Sequence, residues 1–321
     1  MYEQFYNFTE KPFNLTPDSK YFFSSKEHEE ALNSLIYTVN ERKGFAVITG
    51  EIGSGKTTIC RTFLNKLDTH TKTAIITNTY LTGKQLIQLA LEDFGIQTKS
   101  KNKVQLMKEL NNFLIRQLSL GYNVVLIVDE AQNLRPSVLE EIRMLSNLET
   151  EKEKLIQILL LGQPELRDQL NLQKLAQLKQ RINVYYHIYP LNEEETTAYI
   201  NHRLKIATKA KKPALPRSVK FNCKKCGKLL VASLKHADRE ADCPKCKQAI
   251  IIPSRQQETT SPPPVHFTTA ALQTIYAYSH GIPRLINMVC DQSLLTSYVQ
   301  GSHKITETLV KDALAEFSGK H

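Results

Sequence analysis

Short apolar runs alternate with amphipathic stretches through most of the first 190 residues. β-Branched and aliphatic residues cluster at Phe45–Thr49, Thr73–Thr77, Asn123–Val128, Leu155–Leu161 and Asn183–Tyr189, each of strand length. Between them, apolar residues three and four apart predict helices over Lys56–Leu67, Thr82–Phe94, Val104–Leu118 and Pro136–Leu148. An earlier stretch places Ala31, Leu32, Leu35 and Ile36 on one helical face. Strands this apolar, alternating with helices, predict an α/β fold whose parallel sheet is covered on both faces. From Leu191 the strand signal stops. Helical spacing then covers Glu193–Ile206, Thr268–Ser279, Pro283–Val299 and Thr306–Phe317, broken by Lys- and Pro-rich segments at Lys209–Pro216 and Ser261–Pro264. The expected organisation is an α/β domain over 1–190, a small helical domain over 191–210 and 264–321, and an insertion over 211–263.

The composition is that of an ordinary globular chain, with 321 residues, 41% hydrophobic and 23% charged. No apolar run approaches the roughly 20 residues of a membrane helix, and the N-terminus lacks the basic-then-apolar pattern of a signal peptide. These features predict a cytoplasmic protein that reaches a membrane, if at all, through a partner. The net charge of +10 is local: residues 211–263 hold twelve Lys/Arg against four Asp/Glu, which leaves the remaining chain near +2. One basic segment leaves nucleic acid open as a partner.

Gly50-Glu51-Ile52-Gly53-Ser54-Gly55-Lys56-Thr57 matches G-x-x-x-x-G-K-[ST] between a predicted strand and a predicted helix, with Thr58 on the first helical turn. Glycines in such a loop let main-chain N–H groups converge on a phosphate, and the helix N-terminus adds partial positive charge. Lys56 would bridge β- and γ-phosphates, and the Thr57 hydroxyl would take a position on Mg²⁺. Val124–Val128 then delivers Asp129 and Glu130 to the sheet's carboxyl edge, where ligands of open α/β sheets bind. Asp129 suits the Mg²⁺ shell, and Glu130 suits activation of a water. No Asn/Thr-Lys-x-Asp guanine reader follows Asp129, so ATP hydrolysis is favoured over GTPase chemistry.

Cys223-x2-Cys226 and Cys243-x2-Cys246 have the spacing of a tetrathiolate zinc ribbon, and four protein sulfurs leave no open position for catalysis. Zinc is therefore expected to be structural, and His236 between the pairs is expected to be a surface residue. Cys60 and Cys290 sit in apolar patterns and read as core thiols, which fits a reducing compartment.

Several words of the sequence, in one order, resemble the AAA+ ATPases of the ExeA group, the general secretion pathway protein A type, whose kin include TniB and TnsC transposition ATPases. They are Pro12–Asp18 (PFNLTPD), the GEIGSGKTT loop, Val128–Leu134 (VDEAQNL), Leu145–Thr150 (LSNLET), Leu160–Leu166 (LLGQPEL), Gln180–Ile182 (QRI) and Gly281–Asn287 (GIPRLIN). The resemblance covers roughly 1–208 and 265–321, and the cysteine segment lies outside it. It implies a P-loop NTPase domain followed by a helical lid, with ATP bound between them and between subunits of a homo-oligomer whose assembly can depend on ATP. It implies further that Gln163 is a polar sensor of the γ-phosphate or water, Arg181 an arginine finger acting on a neighbour, and Arg284 a lid sensor. The residues alone leave open a plain loop amide at Gln163, a surface arginine in a basic turn at Arg181 and a helix N-terminal arginine with no ligand at Arg284. Thr16–Asp18 would lie near the adenine. The function expected is Mg-ATP hydrolysis driving assembly or remodelling of an unidentified protein partner. The alternative is a transposition-type adaptor that assembles on DNA.

Overall fold

A computed structural model describes residues 1–100, 102–208, 218–233, 239–252 and 265–317, with only the backbone described at 218–220. Strands β1 (Phe45–Gly50), β2 (Thr71–Ile76), β3 (Asn123–Val128), β4 (Gln157–Gly162) and β5 (Val184–Ile188) form one sheet in the order β2-β3-β4-β1-β5. Every pairing is parallel. Alternate residues feed opposite layers. Val124, Leu126 and Val128 of β3 join Ile158 and Leu160 of β4 beneath the helices Gly83–Asp93, Lys103–Ser119 and Pro136–Leu145. Val125, Ile127, Leu159 and Leu161 join Ala31, Leu32, Leu35 and Ile59 from helices Lys26–Asn40 and Lys56–Lys66 on the other face. Both faces are covered, as the continuous apolar runs predict.

The register places the site. Ile48 of β1 lies beside Leu161 of β4, and Leu160 lies beside Val128 of β3. The exits of β1 and β3 therefore flank one strand, and the segments that follow them share one edge of the sheet.

The C-terminal helices Glu193–Ala207, Thr269–Ser279, Pro283–Val299 and Glu307–Phe317 enclose a separate apolar cluster that includes Ile200, Ile275, Ile286, Leu294 and Val310. The N-terminal aromatics Tyr2, Tyr6, Phe8 and Phe13 belong to this cluster and not to the sheet. Thr9 also donates its N–H to the Ala207 carbonyl, at 2.9 Å. A two-residue parallel pair, His266–Phe267 with Lys304–Ile305, adds strand structure that the helical pattern there does not predict. In the cysteine segment Ser218–Asn222 pairs with Leu229–Ser233, and Glu240–Asp242 pairs with Ala249–Ile251. The expected breaks at 209–216 and 261–264, and His236, lie outside the described residues. Among the described residues no helix is long and apolar enough to cross a membrane.

Gly281 sits at the junction of sheet and lid. Its carbonyl accepts from the Leu191 N–H at 3.0 Å, its φ is +77°, and a Cβ there would overlap the Leu191 carbonyl. Gly301 has a similar φ, +67°, with open space around it. Gly281→Ala is expected to destabilise the protein by about 2 kcal/mol or more, and Gly301→Ala by about 1 kcal/mol from backbone strain alone. Thermal unfolding of the two variants compares the overlap with the strain directly.

Candidate functional site

The phosphate loop leaves β1 at Gly50 and turns straight into the helix Lys56–Lys66, whose N-cap is Gly55. Unbonded N–H groups of the first helical turn therefore open at the loop, as an anion requires. Gly53 has φ +81°, and a Cβ there would overlap that of Arg284. The Arg284 N–H also donates to the Gly53 carbonyl, at 3.2 Å. Arg284 is the second residue of the helix Pro283–Val299, so the lid rests its helix start on the loop.

Lys56 is 6% exposed, and its Nζ donates to the Gly50 carbonyl at 2.7 Å and the Glu51 carbonyl at 2.9 Å. Burial pulls the ammonium below the usual lysine range, and Glu130 and Asp129 pull it back. Ser54 Oγ is buried in the loop without a hydrogen-bond partner. Thr57 Oγ1 donates to Asp129 Oδ2 at 3.1 Å, so hydroxyl and carboxylate oxygens converge where a hard cation would find them. Burial raises the Asp129 carboxyl above the ordinary aspartate range.

Glu130 adopts φ +54°, a left-handed conformation that costs about 1 kcal/mol for a residue with a side chain. Its carboxylate accepts from Gln132 Nε2 at 2.6 Å and from Gln163 Nε2 at 3.2 Å. The Gln163 N–H in turn donates to Gln132 Oε1 at 3.0 Å. Gln163 is thus held against Glu130, with Gln132, from the Val128–Leu134 word, as a bridge to which the sequence alone assigns no role.

One cavity of about 200 Å³ gathers these groups. Ile52, Gly53, Gly55, Lys56, Thr57, Thr58, Glu130, Gln163 and Arg284 all face it. Arg181 does not. It precedes β5, whose entry at Val184 lies beside Ala46 at the start of β1, at the sheet edge opposite the phosphate loop. There Arg181 Nη1 donates to Ser146 Oγ at 3.2 Å.

Residues remote in sequence complete the cavity: His28, the segment Asn14–Asp18, Tyr21, Tyr199, Arg203 and Asn287. His28 Nε2 donates to the Ser54 carbonyl at 2.9 Å while Nδ1 accepts from Ser25 Oγ at 2.6 Å. Burial lowers its pKa, so the neutral ring braces the loop. Only a helical signature surrounds His28 in sequence, with Ser25 as a cap; nothing there points to the phosphate loop.

In the cysteine segment the four sulfurs lie within 4.8 Å of one another. The Cys223–Cys246 and Cys226–Cys243 separations are both 3.7 Å. A tetrahedron with Zn–S bonds of about 2.3 Å has edges of about 3.8 Å, whereas a disulfide needs about 2.05 Å. The N–H groups of Cys246 and Lys245 draw the Cys243 thiol down to about 6, toward the thiolate a metal requires. By contrast, burial pushes Cys60 up to about 12 and Cys290 well above its usual range, as core thiols should behave.

Comparison with known proteins follows the same lines. Residues 39–170 match the family described as AAA domain. General secretion pathway protein A of Aeromonas hydrophila is 36% identical over 320 residues, 99% of this chain and 49% of that protein. The chain therefore spans about half the length of this curated relative. Among solved structures, the Aeropyrum pernix ORC2 protein in its ADPNP–ADP complexes superposes with a TM-score of 0.59 at 15% identity, covering 96% of this chain and 72% of that one. Cdc6p from Pyrobaculum aerophilum gives 0.56 at 15% identity, over 98% and 70%. The RuvB Holliday junction branch migration motor of Thermotoga maritima gives 0.51 at 13%, over 92% and 70%. Residues 39–170 thus match an AAA domain and lie within a fold shared with these solved structures, in a chain similar over nearly its whole length to about half of general secretion pathway protein A.

Proposed function

We propose that the chain binds Mg-ATP in the cavity between sheet and lid and hydrolyses it at interfaces between copies of itself, driving assembly or remodelling of a partner complex of the secretion or pilus kind. The observation that carries this reading is the convergence of Lys56, Thr57 and Glu130 on one cavity, with Asp129 Oδ2 accepting from the Thr57 hydroxyl at 3.1 Å. In this reading Lys56 leaves its loop carbonyls for the β- and γ-phosphates, and loop and helix N–H groups hold the remaining oxygens. Thr57 and Asp129 would hold the magnesium ion, which when bound offsets charge on the phosphoryl oxygens. Glu130 takes a proton from the attacking water, kept in place by Gln132 and Gln163. Arg284 reaches the phosphates from the lid. Arg181, remote from its own chain's cavity, serves that of a neighbour, where a guanidinium stabilises transition-state charge.

The division into nucleotide domain, lid and inserted ribbon belongs to the same reading, as does a cytoplasmic location with any membrane contact made through a partner. The four cysteines fit zinc, and about fifty residues are too few for a self-sufficient core, so the metal would supply most of the ribbon's folding free energy.

Purified protein is expected to hydrolyse ATP. Lys56→Ala should abolish nucleotide binding, and Glu130→Gln should keep binding while lowering turnover about 10²- to 10⁴-fold; undiminished binding by Lys56→Ala refutes the assignment. Elemental analysis should find one zinc per chain, lost in Cys243→Ser, with nucleotide binding retained because no cysteine lines the cavity.

A second reading, a DNA-assembling adaptor, is favoured by the basic excess within 211–263. It predicts a steep log–log fall of DNA affinity with salt, and no binding at low salt removes it.

A further inference from the structure

The part of the cavity that does not carry the phosphate loop is built around an arginine. Arg203, on the helix Glu193–Ala207, is 6% exposed. Its Nε donates to the Pro12 carbonyl at 2.6 Å, Nη2 to the Asn14 carbonyl at 3.3 Å and Nη1 to Tyr199 Oη at 2.8 Å. The guanidinium lies 4.5 Å from the centroid of the Tyr21 ring and 5.6 Å from that of Tyr199. Among the described residues Arg203 makes no ion pair. Burying a guanidinium without a carboxylate is costly, and main-chain carbonyls and ring faces compensate only in part. Such a group persists where it organises what surrounds it.

Three segments meet on Arg203. The first is the strap Pro12–Asp18, whose residues Asn14–Asp18 line the cavity. From the nucleotide domain, Arg61 on the helix Lys56–Lys66 donates to the Pro17 carbonyl, so the strap is gripped by one guanidinium from each side. The second is the turn that carries Tyr21. The third is reached through Tyr199 Oη, which donates to Asn287 Oδ1 at 3.0 Å. Asn287 stands one helical turn after Arg284, whose main chain rests on Gly53. One buried hydrogen-bonded path thus runs from the strap, through the lid, to the start of the helix on the phosphate loop.

We propose that Arg203 is a positioning residue for the nucleoside part of the nucleotide: it fixes the strap as the wall against which base and ribose lie, without touching the phosphates. The proposal rests on the reading of the cavity as an ATP site. With phosphates in the loop Gly50–Thr57, the rest of the molecule extends toward Asn14–Asp18, Tyr21 and Tyr199. A strap held at two carbonyls by a planar fork presents that surface in one conformation, so binding does not pay to order it.

Mg-ATP and Mg-tripolyphosphate separate this role from a merely structural one, because only ATP has a nucleoside to place. Calorimetric titration should show Arg203→Met weakening ATP at least tenfold while tripolyphosphate affinity moves less than twofold. Arg203→Lys should recover part of the loss, since an ammonium keeps the charge but not the fork. Parallel weakening of both probes, or no change in either, overturns the proposal. Should Arg203→Met fail to melt cooperatively, Arg203→Lys and Tyr21→Leu carry the same comparison, and a ratio of the two affinities unchanged in both variants overturns it equally. Failure of the underlying reading looks different: ATP binding that is absent from the unaltered protein, or indifferent to Lys56→Ala.

Discussion

A buried ammonium faces one small cavity, a buried carboxylate holds the Thr57 hydroxyl that lines it, and the rest of the architecture serves to bring them together. Neither Lys56 nor Asp129 is stable in such a place on its own terms. Burial pushes the lysine's pKa down and the aspartate's up, each against the charge it would carry. They are kept by carbonyls, a hydroxyl and each other's field, and these are the groups a metal-bound triphosphate would engage. The sheet order supplies the juxtaposition. Because β4 separates β1 from β3, the loop after one and the acidic pair after the other meet across a single strand. A one-residue slip in either pairing would turn Asp129 or Gly50 onto the wrong face.

The C-terminal helices contribute to the cavity as well. Arg284 closes over Gly53, Tyr199 and Asn287 line the far side, and Arg203 holds the N-terminal strap. Glu130 is held in a left-handed conformation with two amides on its carboxylate. Its strain is borne by the sheet edge and by the Thr79 hydroxyl, which donates to its carbonyl at 3.1 Å.

Much of this was legible in the sequence, for reasons that are local. The five sheet strands fall within two residues of the predicted runs; the three central ones are buried on both faces and admit almost nothing but apolar residues, whereas the edge strands β2 and β5 are half-exposed. Pro283–Val299 is reproduced to the residue, since Pro at the first helical position marks its start. The phosphate loop and the cysteine pairs are legible because their chemistry demands adjacent residues. What escaped depends on distance along the chain. His28 and Ser54, or Arg203 and Pro12, meet only after the fold is made, and no spacing announces them. Ser218–Asn222 and Glu240–Asp242, the strands before the cysteine pairs, are too polar for an apolar signal and owe their form to hairpin partners. The helix Pro164–Leu170 is too short to establish a period. The N-terminal aromatics announced burial but not their partner, and they pack into the lid.

That last arrangement has a mechanical consequence. Residues 2–13 are anchored in the C-terminal cluster, the strap after them returns to the sheet, and the chain passes back at Ile188–Leu191. The two bodies are therefore stitched at two separate crossings, not one. Any movement of the C-terminal helices relative to the sheet must be accommodated at both crossings at once.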